Sequence, residues 1–318
     1  MKTKNVISKR CAGLGDLLLA TSHAWYYASN TRRNLEICWA PSLYVKDRSE
    51  NIFGKIFKVP SSIGEVRIIY CAPIPFIRRF IRRLPLFPPR YMLRTLLFEL
   101  IIKFFRKRSP EYFIKTRHRR KKYLEDLIRE ASNVKLKNVI FNSDFNFLDK
   151  QRIKPFYDAL ELKPELQEII NQFAESHFRN KFVIGTHVRY YDTNLPACDY
   201  TKFWLDPEKK LEMLKNRLQE IIYRIDRSDY VVYLATNSDI VCDYVRDNIN
   251  NVITLKKDFP KIKVDWSLHH LLPEHALKDD IIEMFLLKYS NILLRFPPLA
   301  CSWFSYLGSL YADEVIIT

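Results

Sequence analysis

The six cysteines, at positions 11, 38, 71, 198, 242 and 301, form no CxxC pair, and no cluster of histidines accompanies them. Such spacing argues against a structural zinc site and for reduced thiols in a cytosolic setting. Glycine is equally sparse. Gly13 and Gly15 follow the first strand-like run without the third glycine that a nicotinamide fingerprint requires, which excludes that class of dinucleotide enzyme. Met1–Ser8 lacks the apolar core of a secretory signal and reads instead as a β-strand. The apolar stretch Tyr91–Phe105 is short for a bilayer and holds Arg94, Glu99 and Lys103, so no transmembrane span is expected. No internal repeat and no low-complexity tract is present.

Acidic residues are missing from one region in particular. Residues 76–122 hold 16 Lys and Arg against two acids, Glu99 and Glu111, so this window carries +14 of the chain's net +16. It is also rich in Phe, Leu and Ile, as in Phe76-Ile77-Arg78-Arg79-Phe80-Ile81-Arg82-Arg83. Basic and apolar residues mixed in this way suit an anionic membrane surface, nucleic acid or a polyanionic sugar. The plainer reading is a helical insertion with its apolar side packed inward and its arginines solvated.

The chain can build proper cores, with hydrophobic residues at 47% of 318. Short β-rich runs alternate with helical stretches, which predicts α/β layers. Strands are expected at Asn5–Ser8, Leu35–Trp39, Glu65–Tyr70 and Asn138–Phe141. Helices are expected at Leu17–Ala20, near Tyr123–Ala131 and at Pro164–His177. From Phe182 the alternation becomes regular. A strand at Phe182–Arg189 leads to a long helix opened by Pro207, with Leu211, Leu214, Leu218, Ile221 and Ile225 on one face. Strands at Tyr230–Ala235, Val252–Leu255, Asn291–Arg295 and Val315–Ile317 are then interleaved with helices at Asp239–Asn248, Asp279–Lys288 and Ser302–Tyr311. Two doubly wound α/β domains facing a cleft, 1–178 and 179–318, form the simplest architecture, and ligands of such sheets sit beyond the carboxyl ends of the strands.

Polar groups at those ends are the candidate site residues. Gly13 and Gly15 permit close backbone approach at the start of a helix. His187 and Arg189, two apart at a strand end, share a face, and the guanidinium fork of Arg189 matches phosphate oxygens. Asp192 and Asp199 are carboxylates able to orient or deprotonate a hydroxyl. Thr236-Asn237-Ser238-Asp239 reads as a helix cap. Glu283 sits among Ile281, Ile282, Met284 and Phe285, where a carboxylate needs a partner. That partner is either a neighbouring Arg or Lys or an amidine-like edge such as that of guanine. Ser302, after Arg295-Phe296-Pro297-Pro298, opens a helix whose N–H groups could seat a diphosphate.

Singly, ordinary capping or core packing explains each of these. Together, Gly13-Leu14-Gly15-Asp16, His187-Val188-Arg189, Ala235-Thr236-Asn237-Ser238 and Arg295-Phe296-Pro297-Pro298 with Ser302 resemble the α-1,6-fucosyltransferases of glycosyltransferase family 23 over nearly the whole chain, and most of all their rhizobial nodulation branch. The basic insertion, 76–122, is the least similar part. The resemblance implies the GT-B architecture, with an N-terminal acceptor-side domain and a C-terminal GDP-sugar-binding domain. It implies GDP-fucose as donor, inversion at the anomeric carbon, no metal, and an N-acetylglucosamine-containing oligosaccharide acceptor. It implies that His187, Arg189, Ser302, Gly13, Gly15 and Asn237 bind the donor and that Glu283 falls where the family reads guanine. Arg189 and Asp192 are then the catalytic pair, with Asp199 the alternative base. Position 237 is Asn where relatives have Asp, 283 is Glu for Asp, 190 is Tyr for Arg or His, and two residues are inserted between Pro298 and Ser302. The expected setting is cytoplasmic, with peripheral contact to anionic membrane through 76–122 and no nucleic acid. Another GDP-sugar on the same fold, or a non-catalytic membrane- or nucleic-acid-binding protein, are the alternatives.

Overall fold

The structure is a computed structural model describing residues 4–9, 13–39, 51–70, 111–114, 138–141, 150–190, 204–259, 274–296 and 303–317. Two compact units emerge, the first ending at Lys163 and the second beginning at Pro164.

The first unit is built on a six-stranded sheet. Its strands are β1 (Asn5–Lys9), β2 (Asn34–Cys38), β3 (Ser62–Ile63), β4 (Val66–Tyr70), β5 (Glu111–Ile114) and β6 (Asn138–Phe141), ordered β3-β4-β2-β1-β6-β5. All pairings are parallel except the β3–β4 hairpin. Helix α1 (Leu14–Asn30) covers the centre with Leu14, Leu17, Leu18, Leu19 and Ala20, all buried. Its polar Thr21 is accommodated by hydrogen bonds, 2.9 Å to the Ser8 hydroxyl and 2.9 Å from the Trp39 indole N–H. The short helix α2 (Phe53–Ile56) packs Phe53 edge-on against Trp39, ring centroids 5.0 Å apart. Helix α3 (Lys150–Asp158) brings Phe156 to Trp25.

The second unit is a five-stranded, all-parallel sheet of β7 (Phe182–Val188), β8 (Tyr230–Thr236), β9 (Val252–Ile253), β10 (Ile292–Arg295) and β11 (Glu314–Ile317), ordered β11-β10-β7-β8-β9. Strand β7 is central, and the order reverses between it and β10. Helices α4 (Pro164–His177), α5 (Pro207–Ile225), α6 (Asp239–Asn248) and α7 (Glu274–Leu286) complete it. Side chains of a strand alternate between faces. Ile184, Val188, Val232, Leu234, Ile292 and Leu294 form one cluster with Leu211, Leu214, Leu218, Val241 and Val245 of α5 and α6. Val183, Gly185, His187, Tyr233, Leu293 and Arg295 consequently occupy the opposite face. There Phe173 of α4 and the following Phe178 pack edge-on to Tyr233 at 5.8 and 5.5 Å. Those contacts place α4 with the second unit, upstream of the expected boundary at residue 178.

Helix starts follow local chemistry. Asp206 caps α5, accepting from Lys209 N–H at 3.1 Å with Pro207 in the first turn, and Ser238 caps α6 through Val241 N–H.

Three expectations are corrected. The α-helix expected over Ser302–Tyr311 is instead two short 3₁₀ turns, Phe304–Tyr306 and Gly308–Leu310. The Ser309 hydroxyl donates to Tyr306 C=O at 2.7 Å, and Gly308 lies hard against Leu287, so local bonding and packing displace the helical ladder. Glu111–Ile114, inside the basic window, is not an insertion helix but edge strand β5, paired in parallel to β6. Helix α7 starts at Glu274 and ends at Leu286, with Leu287–Tyr289 a 3₁₀ turn. The rest of 76–122 and the helix expected near Tyr123–Ala131 lie outside the described residues. No helix among those described is long and apolar enough to cross a membrane.

Candidate functional site

The switch point of the second sheet, between β7 and β10, is where a ligand of an open parallel sheet is expected. There His187 and Arg295 are register partners, and Phe296 N–H donates to His187 C=O at 3.2 Å. The His187 ring is buried and stacks on Phe304 with centroids 5.0 Å apart. Arg295, buried as well, donates from Nε to Ser305 Oγ at 3.0 Å. Burial holds His187 well below the usual histidine range, and the positive charges of Arg189, Arg295 and Lys257 depress it further. A neutral imidazole among three cations is a site prepared for an anion: His187 can donate a hydrogen bond to it and the cations supply charge.

Arg189 is the first residue beyond β7, and its side chain is exposed. Its backbone is nonetheless tied down. The buried Trp204 donates from its indole to Arg189 C=O at 3.0 Å and packs its ring on Tyr190 at 4.8 Å. Asn237 closes a two-point clasp on the next residue, accepting from Tyr190 N–H at 2.8 Å and donating to Tyr190 C=O at 2.9 Å. Expected as a donor-binding side chain, Asn237 uses its amide on the backbone beside Arg189. An aspartate there could accept but, when ionised, would face the carbonyl with a second acceptor. Asn237→Asp is therefore expected to lower transfer efficiency about tenfold near pH 8 through the lost charge-free bond and the added repulsion. Its activity relative to the natural chain should recover as the pH is lowered and the carboxyl protonates. Matched pH–rate profiles of the two proteins check this.

Glu283 of α7 is buried, and Lys257 Nζ donates to its Oε2 at 2.6 Å. A neighbouring cation is thus one partner of this carboxylate. Lys257 follows β9 and was not among the expected residues, because nothing local marks it. Arg295, noted only as part of a motif, is drawn in by its register with His187.

The remaining expected residues divide. Gly13 precedes α1 with an extended backbone (φ −66°, ψ 165°), and a side chain there would meet nothing closer than Asp16 Oδ2 at 3.6 Å. Gly15 is buried in the first turn of α1. Both lie in the first unit. Asp192, Asp199 and Ser302 lie outside the described residues. The segment after Ser302 begins with a 3₁₀ turn, so no α-helix N-terminus follows it. Among the described residues no group of three or more His, Cys, Asp or Glu side chains could hold a metal ion.

Comparison with known proteins supplies the family. A model of the family described as Nodulation protein Z (NodZ) matches residues 2–317. The chain belongs to the NodZ family. Nodulation protein Z of Bradyrhizobium diazoefficiens is 26% identical over 98% of this chain and 80% of its own length. That of Azorhizobium caulinodans is 24% identical over 98% of this chain and 90% of its own. The crystal structure of a NodZ α-1,6-fucosyltransferase soaked with GDP-fucose matches with a TM-score of 0.71 at 22% identity, covering 99% of this chain and 95% of the other. The fold is thus of the GT-B type, and the family membership read from the motifs holds.

Proposed function

We propose that this NodZ-family chain is a glycosyltransferase that moves fucose from GDP-fucose to a hydroxyl of an oligosaccharide acceptor, O6 of an N-acetylglucosamine unit. The observation that carries this reading is the convergence of His187, Arg189, Arg295 and Lys257 at the β7–β10 switch point of the second sheet. A related NodZ was soaked with GDP-fucose, and a nucleoside diphosphate is the ligand whose charge such a cluster matches.

The reaction is a direct displacement with inversion. The acceptor oxygen bonds to the anomeric carbon as the bond from that carbon to the β-phosphate oxygen breaks, and the electron pair departs on GDP. Arg189 and Arg295 stabilise the charge growing on the leaving diphosphate, so no metal is required. His187, neutral, donates to an oxygen of the donor. Asp192 takes the acceptor proton, with Asp199 as the alternative. Asn237 and Trp204 hold the backbone from which Arg189 projects. Ser302 adds to the phosphate contacts, and Gly13 and Gly15 keep their assignment to donor binding. An acceptor half and a donor half go with this reading, the donor half beginning at α4 rather than at residue 179. A peripheral contact of 76–122 with anionic membrane belongs to it too, and salt-dependent flotation with phosphatidylserine vesicles tests that part.

The test is transfer of labelled fucose from GDP-fucose to a panel of chitin oligomers, N-glycan cores and lipid-linked sugars, beside GDP-mannose and UDP-sugars as donors. Label appearing on one N-acetylglucosamine-terminated acceptor, from GDP-fucose alone, is expected. Turnover with GDP-mannose instead would replace fucose as the donor sugar. Lipid or nucleic-acid binding with no affinity for any sugar nucleotide would replace the enzyme reading altogether.

A further inference from the structure

Lys257 and Glu283 expose only 7% and 4% of their side chains, whereas an outer pair such as Arg224–Glu314 is about half exposed, at 52% and 44%. Burying an ion pair costs the hydration of both ions, and apolar residues of the same size are often no less stable in its place. Stability alone therefore gives little reason for this one. Its position does, because Lys257 stands close enough to His187 to act on its charge, and His187 marks the switch point.

The chemistry of a carboxylate there is definite. It offers about four lone-pair directions, and the ammonium of Lys257 uses one, at Oε2. The described residues show a donor at Oε2 alone, and the proposal gives Oε1 to the paired N–H groups of an amidine edge. We propose that Lys257 is a positioning residue for base recognition, its ammonium holding the Glu283 carboxylate ionised and turned so that Oε1 accepts from the amidine edge of a purine. This rests on the donor reading given above.

Among the described residues, the groups acting on Glu283 are Lys257 from beyond β9 and Asp279 and Asp280 from its own helix, with Tyr233 of β8 nearby. Burial pushes the carboxyl up and Lys257 pulls it down, while Asp280 and Asp279 push it up again, leaving it at about 7. The ionised form accepts the N–H groups more strongly than the neutral acid. Recognition of the base therefore strengthens as the pH rises through about 7 and fades below it. Removing Lys257 removes the downward pull, so the same transition moves to higher pH.

Calorimetric titration of GDP and IDP into the full chain between pH 6 and 9 reads this directly, since IDP lacks the 2-amino group. The natural chain is expected to prefer GDP by about tenfold or more at high pH, the worth of one hydrogen bond to a charged acceptor. That preference should fall away below pH 7. Lys257→Met is expected to lose it at pH 7.5 and regain it only at higher pH, while Lys257→Arg keeps it. Lys257→Gln, neutral but still able to donate, carries the same comparison should the methionine variant fail to fold. A neutral variant with unchanged preference and unchanged midpoint overturns the proposal. Glu283→Gln separates the levels. If it abolishes the preference at every pH while Lys257→Met leaves it intact, Glu283 reads the base unaided. If it leaves the preference intact, the base is read elsewhere and the proposal falls with that reading. Failure of the natural chain to bind either diphosphate would overturn the donor reading itself.

Discussion

Arg189→Ala should cut transfer from GDP-fucose about a hundredfold to a thousandfold, the usual cost of removing a group that stabilises charge forming in the transition state. The side chain is exposed and lies beyond the last residue of β7, so its loss opens no cavity. What fixes this stretch of backbone is the Trp204 indole on Arg189 C=O and the Asn237 amide on Tyr190, both of which survive the substitution. The melting temperature should consequently stay within a degree or two of the natural value while turnover collapses. Arg189→Lys keeps the charge but loses the planar fork, so an intermediate deficit is expected. Single-turnover transfer measured with saturating donor isolates the chemical step. Undiminished turnover in the alanine variant would remove Arg189 from the mechanism.

Gly185→Ala should have its large effect on stability. A methyl at this position in the middle of β7 would stand 1.9 Å from Ser290 Oγ and 2.9 Å from Ser290 Cβ. The hydroxyl is held in place by its own bond to Leu287 C=O at 2.8 Å, and Ser290 is buried. Relief requires the 3₁₀ turn ahead of β10 to move away from the sheet, and with it the start of the strand carrying Arg295. Overpacking of this kind costs about 1–3 kcal/mol, which at this domain size is a melting shift of about 2–4 °C for each kcal/mol. Adding Ser290→Gly removes both clashing atoms and should restore most of the loss, a pairing that differential scanning calorimetry on the two variants can establish. A lone Gly185→Ala that melts like the natural chain would mean β7 and this turn are not packed as described.

Much of the second unit was legible because its signals are local. The 3.6-residue spacing of Leu211, Leu214, Leu218 and Ile221 marks α5, and the polar Thr236-Asn237-Ser238 marks the entry to α6. His187 and Arg189 stood out as polar groups ending an apolar run. What escaped is carried by pairings that no window of sequence contains. Arg295 meets His187 only through the parallel register of β10 on β7, two strands distant in the chain. Lys257 meets Glu283 across 26 residues, and no periodicity or motif surrounds it. Strand β5 was hidden by its setting, four residues among a crowd of arginines and lysines, and its only distinction is the match to β6. The helix expected after Ser302 failed for the opposite reason: its local pattern is present, but Gly308 against Leu287 and the Ser309 hydroxyl favour tighter turns.

The bond from Trp204 to Arg189 has a consequence for how this family can diversify. Residues 191–203, 13 in number, leave and return at a point already closed by that bond and by the Tyr190–Trp204 ring contact. Because both ends are anchored independently of what lies between, doubling the length of the segment costs only about 0.6 kcal/mol in closure entropy. Insertions, deletions and wholesale sequence change there leave the projection of Arg189 untouched. The anchoring of Arg189 is therefore indifferent to the length of chain that joins Tyr190 to Trp204.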